Sequence, residues 1–182
     1  MVLLESLNIP LGSDAHDFNL PGIDGKDHSL DSYNDEKVLV LVFMCNHCPY
    51  VLGVIQRLIS LQDKFKDKGV KFVGINANDS ENYPEDGFDK MSEYAEDWGL
   101  NFDYLWDESQ EVAKMYKAQC TPDIYVYDKE QKLAYHGRID DNWQHEDAVK
   151  TRELEDALKA LINDNNVSDQ QYPSMGCSIK WK

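Results

Sequence analysis

The run Val38-Leu39-Val40-Leu41-Val42-Phe43 constrains this chain more than any other segment. It has no polar residue, so as a strand it must be buried on both faces and covered by helices on each side. Met44 follows, then Cys45-Asn46-His47-Cys48-Pro49. After that the apolar spacing changes to that of a helix. Val51, Ile55, Leu58 and Gln62 share one stripe, and Val54, Leu58, Leu61 and Phe65 share the next. A helix with so much apolar surface packs deep. Gly69 is expected to end it, and Lys71–Asn76 reads as a second strand. Strand, helix and strand at this spacing predict a right-handed βαβ unit.

The remaining segments extend this α/β reading. Residues 11–36 are turn-rich, and Asp24-Gly25 suits a hairpin turn. Residues 79–86 are acidic, contain Pro84 and read as a loop. Phe88, Met91, Ala95 and Trp98 have helical spacing with Gly99 as a stop. A short helix is expected over 108–117. Strands over 123–127 and 132–137 are joined by Asp128-Lys129-Glu130-Gln131, which implies an antiparallel hairpin. Leu154, Ala157, Leu158, Leu161 and Ile162 mark a closing amphipathic helix. The expectation is a central mixed β-sheet flanked by helices, with an N-terminal β-hairpin extension. A chain of 182 residues suits one domain, residues 1–182. Its core is expected over about 11–163, with a polar C-terminal tail over 164–182.

Charge narrows the partners. There are 34 acidic and 18 basic residues, a net charge of −16. Such a surface repels nucleic acid and anionic membrane, so neither is an expected partner. Met1 to Gly12 lacks a basic leader and an apolar run, so no signal peptide is expected. The expected location is cytoplasmic, where disulfides are transient and catalytic.

The Cys-x-x-Cys pair sits between the buried strand and its crossover helix. A thiol there faces unpaired backbone N–H groups and the positive end of the helix dipole, which favour the thiolate. The spacing lets one sulfur reach the other, so a mixed disulfide resolves within the chain. Cys45 is expected to be the exposed, low-pKa attacker. Cys48 is expected one turn inside the helix as the resolver, with Pro49 at an early helical position. A zinc site would need a second pair, and Cys120 and Cys177 are too far apart in sequence to make one. A haem attachment would need His after Cys48, where Pro49 stands. A protonated His47 near Cys45 would favour its thiolate and make the couple more oxidising.

Pro122 follows Cys120-Thr121 and precedes a strand. It is either a proline tolerated at a strand's first residue or a cis-proline facing the dithiol. In the second case the Thr121 backbone would be left to pair with an extended substrate. Asn46 is a second substrate-binding candidate. Cys177, Arg138 and Asp123 are auxiliary candidates: Arg138 as a partner for the Cys45 thiolate, Asp123 as a carboxylate near the active end of the sheet. Cys177 lies in Ser174-Met175-Gly176-Cys177-Ser178, where Met175, Ile179 and Trp181 could dock the tail. Either those residues only anchor a terminus, which is the simpler reading, or the tail carries Cys177 toward the dithiol. Cys120 reads as a buried, inert thiol.

Several segments together resemble the thioredoxin superfamily in its redoxin, peroxiredoxin-like (AhpC/TSA-type) branch. Asp17-Phe18-Asn19-Leu20-Pro21, with Gly25-Lys26 and Ser29-Leu30, is similar to the entry of AhpC/TSA domains. Cys45–Val51, Cys120–Asp128, Gly137–Asp141 and Pro173–Lys182 resemble one subgroup of thioredoxin-family proteins. The resemblance implies a thioredoxin-like fold, with Cys45 and Cys48 at the active-site pair and Pro122 at the cis-proline. Peroxiredoxins carry Pro-x-x-x-Thr/Ser-x-x-Cys, and this chain departs from that frame. Counted back from Cys48 the positions hold Cys45 and Leu41; counted back from Cys45 they hold Val42 and Val38. The strand Val38–Met44 also lacks the buried aspartate common in thioredoxins.

The expected activity is dithiol–disulfide exchange on protein or small-molecule disulfides, with a cellular thiol reductant and no cofactor or metal. A thiol peroxidase using Cys45 is the first alternative. A copper-delivery protein is the second, since thiolates beside histidine suit Cu(I). A redox-controlled binding module without turnover is the third.

Overall fold

The structure, a computed structural model, describes residues 3–182. Its main sheet has five strands in the order β6-β5-β4-β8-β9. These are β4 (Val38–Phe43), β5 (Val70–Asn76), β6 (Asp103–Trp106), β8 (Asp123–Tyr127) and β9 (Leu133–His136). The apolar run is the central strand. It lies parallel to β5, with Val38 opposite Val70, and antiparallel to β8, with Phe43 opposite Asp123. All six of its residues are buried because its alternate side chains enter two different cores. Val38, Val40 and Val42 pack with Leu58, Phe65 and Leu158 on one face. Leu39, Leu41 and Phe43 pack with Phe18, Tyr116 and Tyr125 on the other. The expected mixed sheet between helical layers is present, and so is the N-terminal hairpin, β2 (Asn19–Pro21) with β3 (Asp27–Ser29). In its turn, Gly25 takes a left-handed φ of 78°.

The crossover helix is not continuous. It forms as α1 (Pro49–Leu52) and α2 (Ile55–Phe65), broken at Gly53-Val54. The break has a packing cause. A Cβ on Gly53 would lie 2.8 Å from the Trp143 carbonyl oxygen, so the loop after β9 presses directly on the helix backbone there. The helices α3 (Phe88–Trp98), α4 (Glu111–Tyr116) and α5 (Glu153–Ile162) lie where the spacing placed them. The strand β6 was not legible: it is short and begins with a charged residue, and its pairing with β5, with a bridge from Gly22 to Leu105 on its other side, makes it a strand. No helix among the described residues is long and apolar enough to cross a membrane.

The polar tail does more than trail from the last helix. β10 (Met175–Ser178) is the middle strand of a second sheet, between β1 (Leu3–Glu5) and β7 (Cys120–Thr121). Both pairings are antiparallel, and Cys177 stands opposite Leu3 on one side and Thr121 on the other. The tail is held beyond the strand as well. Asp79 N–H donates to the Lys180 carbonyl at 2.8 Å, and Lys180 N–H donates to Asn78 Oδ1 at 2.9 Å.

Candidate active site

Three elements converge where β4 ends. The Met44 N–H still bonds the Ile75 carbonyl at 2.9 Å, so the strand geometry is kept up to Cys45. Cys45, Asn46 and His47 form the link, and α1 begins at Pro49 with Cys48 as its N-cap. This corrects the expected placement: Cys48, not Cys45, is at the helix entry, and it is not one turn inside. The third element is the Thr121–Pro122 bond, which is cis. Cys45 Sγ lies 3.6 Å from Thr121 Oγ1, and Cys48 Sγ lies 3.2 Å from the Thr121 carbonyl oxygen. The two thiols also hydrogen-bond each other.

Neither thiol is exposed; both are about 1% accessible. The expectation of an accessible Cys45 is therefore corrected, and so is its expected acidity. The Cys45 thiol is held well above its ordinary pKa by its hydrogen bond to Cys48, by burial and by the charge of Asp86. Cys48 is lowered to about 5, first by its hydrogen bond with Cys45, and further by its interactions with Cys177, Thr121 and the Val51 backbone, against the opposing effect of burial. Reduced protein should therefore show one equivalent of thiolate ultraviolet absorbance that persists down to about pH 5. Cys48→Ser should abolish that low-pH step. A first step in the ordinary cysteine range would contradict the assignment.

Asp86 is the residue that sequence reading missed. It belongs to the loop read only as acidic, yet it is fully buried beside the dithiol. Its carboxylate accepts the Asn46 N–H at 2.9 Å and the Asn78 side-chain amide at 2.7 Å. His47 Nδ1 is 2.9 Å from the same oxygen that accepts from Asn78, placed as an ion-pair partner without a directed hydrogen bond. The His47 ring stacks on Tyr83 with centroids 6.2 Å apart. His47 thus faces Asp86 first. Cys45, His47 and Asp86 have ligand atoms within 4.8 Å of one another, close enough to hold a metal ion. That set differs from the expected Cys45–Cys48 pair.

The other candidates have other work. Asn46 is buried: its amide donates to the Glu85 carbonyl at 2.8 Å, and its oxygen accepts Tyr104 OH at 2.8 Å. It ties the dithiol link to the 85–86 loop and offers nothing to a substrate. Thr121 is not left open either, because its backbone already pairs with Cys177. Asp123 bonds His136 Nε2 at 2.8 Å and Tyr125 OH at 3.3 Å, so it is a buried structural carboxylate and not a partner of the thiols. Arg138 pairs with Glu153 and covers the Tyr172 ring at 4.6 Å, which rules out its expected role beside Cys45. Cys120 is fully buried with its pKa raised by desolvation, as expected of an inert thiol. Cys177 is at the site: its sulfur is 2.9 Å from Cys48 Sγ.

Comparison with known proteins agrees with this architecture. An uncharacterized conserved protein from Geobacillus kaustophilus is 43% identical in its crystal structure and superposes with a TM-score of 0.95, covering 100% of this chain and 97% of its own. The thioredoxin domain of a thiol-disulfide oxidoreductase from Bacteroides vulgatus is 19% identical with a TM-score of 0.61, over 71% of this chain and 89% of that one. That likeness shows a thioredoxin-like fold. The thiol-disulfide oxidoreductase ResA of Geobacillus thermodenitrificans is 25% identical over 131 residues, 71% of this chain and 70% of that protein. Residues 11–136 match the model of the AhpC/TSA family. With that match over most of its length, this chain belongs to the AhpC/TSA family.

Proposed function

We propose that this protein is a thiol–disulfide oxidoreductase whose working couple is Cys45 and Cys48. The observation that carries the reading is the pair of thiols at the end of the buried strand, both in contact with Thr121, the residue before a cis-proline. The similarity to thiol-disulfide oxidoreductases supports it.

The Cys48 thiolate attacks a disulfide of a protein or small molecule, forming a mixed disulfide and expelling the partner's second sulfur as a thiol. Cys45 then gives up its proton and attacks Cys48. The Cys45–Cys48 bond closes and the substrate leaves reduced. This order reverses the roles expected from the sequence; what supports it is that the Cys48 pKa is lowered while that of Cys45 is raised. In a cytosolic setting a cellular thiol reductant would reopen the bond. The acidic surface favours neutral or basic partners over anionic ones.

The test compares oxidants. Reduced protein is treated with oxidised glutathione or with hydrogen peroxide, and its thiols are followed by intact mass. Fast loss of two thiols with glutathione, and slow reaction with peroxide, is the expected result. Rapid peroxide consumption with turnover would overturn it in favour of a peroxidase. Retention of one equivalent of copper through purification would overturn it in favour of metal delivery.

A further inference from the structure

The C-terminal strand occupies the position that an extended substrate would take. It pairs antiparallel with Thr121, the residue before the cis-proline, and presents a sulfur to Cys48. A bound disulfide substrate would need the same two contacts: a backbone ladder to Thr121 and a sulfur against the thiolate.

We propose that Cys177 is a third redox thiol, which takes over the disulfide from Cys45 so that the oxidised protein holds a Cys48–Cys177 bond. This rests on the oxidoreductase reading above. Of the residues expected to dock the tail, Ile179 is buried while Met175 and Trp181 stay exposed; anchoring by Ile179 does not require a thiol at residue 177, yet a thiol is what faces Cys48. The strand is also built to close approach. A Cβ on Gly176 would sit 1.9 Å from the Thr121 carbonyl oxygen, so only glycine lets the strand lie this near. Ser174 Oγ, buried, donates to the Gly137 carbonyl at 2.7 Å and sets the strand's entry. Lys180, bonded to Asn78 and Asp79, sets its exit.

The transfer is an internal exchange and needs no outside oxidant. Starting from the Cys45–Cys48 disulfide, Cys177 loses its proton and its sulfur attacks Cys48 Sγ. The Cys48–Cys177 bond forms with the electron pair of Cys177. The Cys45–Cys48 bond breaks, its electron pair leaves with Cys45, and Cys45 takes up the proton. One disulfide and one thiol exist before and after. In the reduced protein the Cys177 thiol is held up at about 12, first by burial and then by its contact with Cys48. Once Cys48 is in a disulfide, its negative charge is gone and that second cause disappears.

The test maps disulfides in Cys45→Ser after oxidation with oxidised glutathione, acid quenching, alkylation and peptide mass analysis. The expected product is an intrachain Cys48–Cys177 bond, favoured over the Cys48–glutathione adduct by about 100-fold or more at millimolar glutathione, since a thiol held in contact has a far higher effective concentration. Gly176→Val added to Cys45→Ser should remove that bond and leave the glutathione adduct. Circular dichroism shows whether each variant is folded. A folded Cys45→Ser protein that keeps the adduct with Cys177 alkylated overturns the third-thiol proposal and leaves the oxidoreductase reading intact. An equal yield of the bond in the folded double variant overturns the role given to the strand. Failure of wild type to exchange with glutathione disulfide at all overturns the oxidoreductase reading itself.

Discussion

Replacing Cys48 with serine should reduce disulfide exchange by roughly 10³-fold or more, the scale expected when the nucleophile of a covalent mechanism is lost. The hydroxyl has the shape of the thiol but is not ionised at neutral pH. Both sulfur–sulfur contacts in the site involve Cys48, since Cys45 and Cys177 each meet it. Initial rates with a chromogenic disulfide, measured beside Cys45→Ser, check this. Cys45→Ser should still react once, because the attacking sulfur is intact, and should then fail to close the Cys45–Cys48 bond. Equal single-turnover rates for Cys48→Ser and wild type would show that Cys45 attacks after all.

Arg57→Leu should cost about 3–5 kcal/mol of stability, the usual penalty for leaving a buried charge without its partner. Arg57 and Asp140 are both buried and form an ion pair. The same guanidinium donates to the carbonyls of Asn142 at 2.9 Å, Gly53 at 2.8 Å and Trp143 at 2.7 Å. It therefore fastens the loop after β9 onto the break between α1 and α2. Arg57→Lys should recover little, because one ammonium cannot reproduce the fork that reaches several oxygens at once. Urea unfolding of reduced protein gives the measurement. Loss of this clamp should also loosen α1, whose N-cap is Cys48, so the low-pH thiolate step should shift upward in whatever fraction stays folded. A change in unfolding free energy under 1 kcal/mol for Arg57→Leu would mean that Asp140 finds other compensation.

Much of the architecture was legible because it depends on local pattern. The apolar run Val38–Phe43 could only be a central strand, and its neighbours followed from chain order and handedness. Gly69 and Gly99 marked helix ends through their left-handed backbone, which is a one-residue property. The segment Asp103–Trp106 was not legible, because its partner β5 and not its own pattern makes it a strand. Gly53 was equally silent. A glycine inside a helical stripe gives no sign that a carbonyl from residue 143 will press on it.

The sequence by itself determined the chemistry available: two cysteines at the mouth of a buried strand, a histidine between them, a proline before the facing strand and a third thiol in the tail. These depend on residue type and spacing along one segment. Only the tertiary structure decided how that chemistry is divided. The two sulfurs diverge, Cys45 raised and Cys48 lowered, first through the hydrogen bond they share and then through groups from elsewhere in the chain: burial and Asp86 at Cys45, Cys177 at Cys48. Asp86 is one of 34 acidic residues in the sequence, and nothing local separates it from the solvated ones. Its burial comes from Asn46, Asn78 and His47 meeting around it. The tail's position has the same origin. A polar segment with a few apolar residues has no preferred partner until Thr121 and Leu3 offer free strand edges to both of its sides.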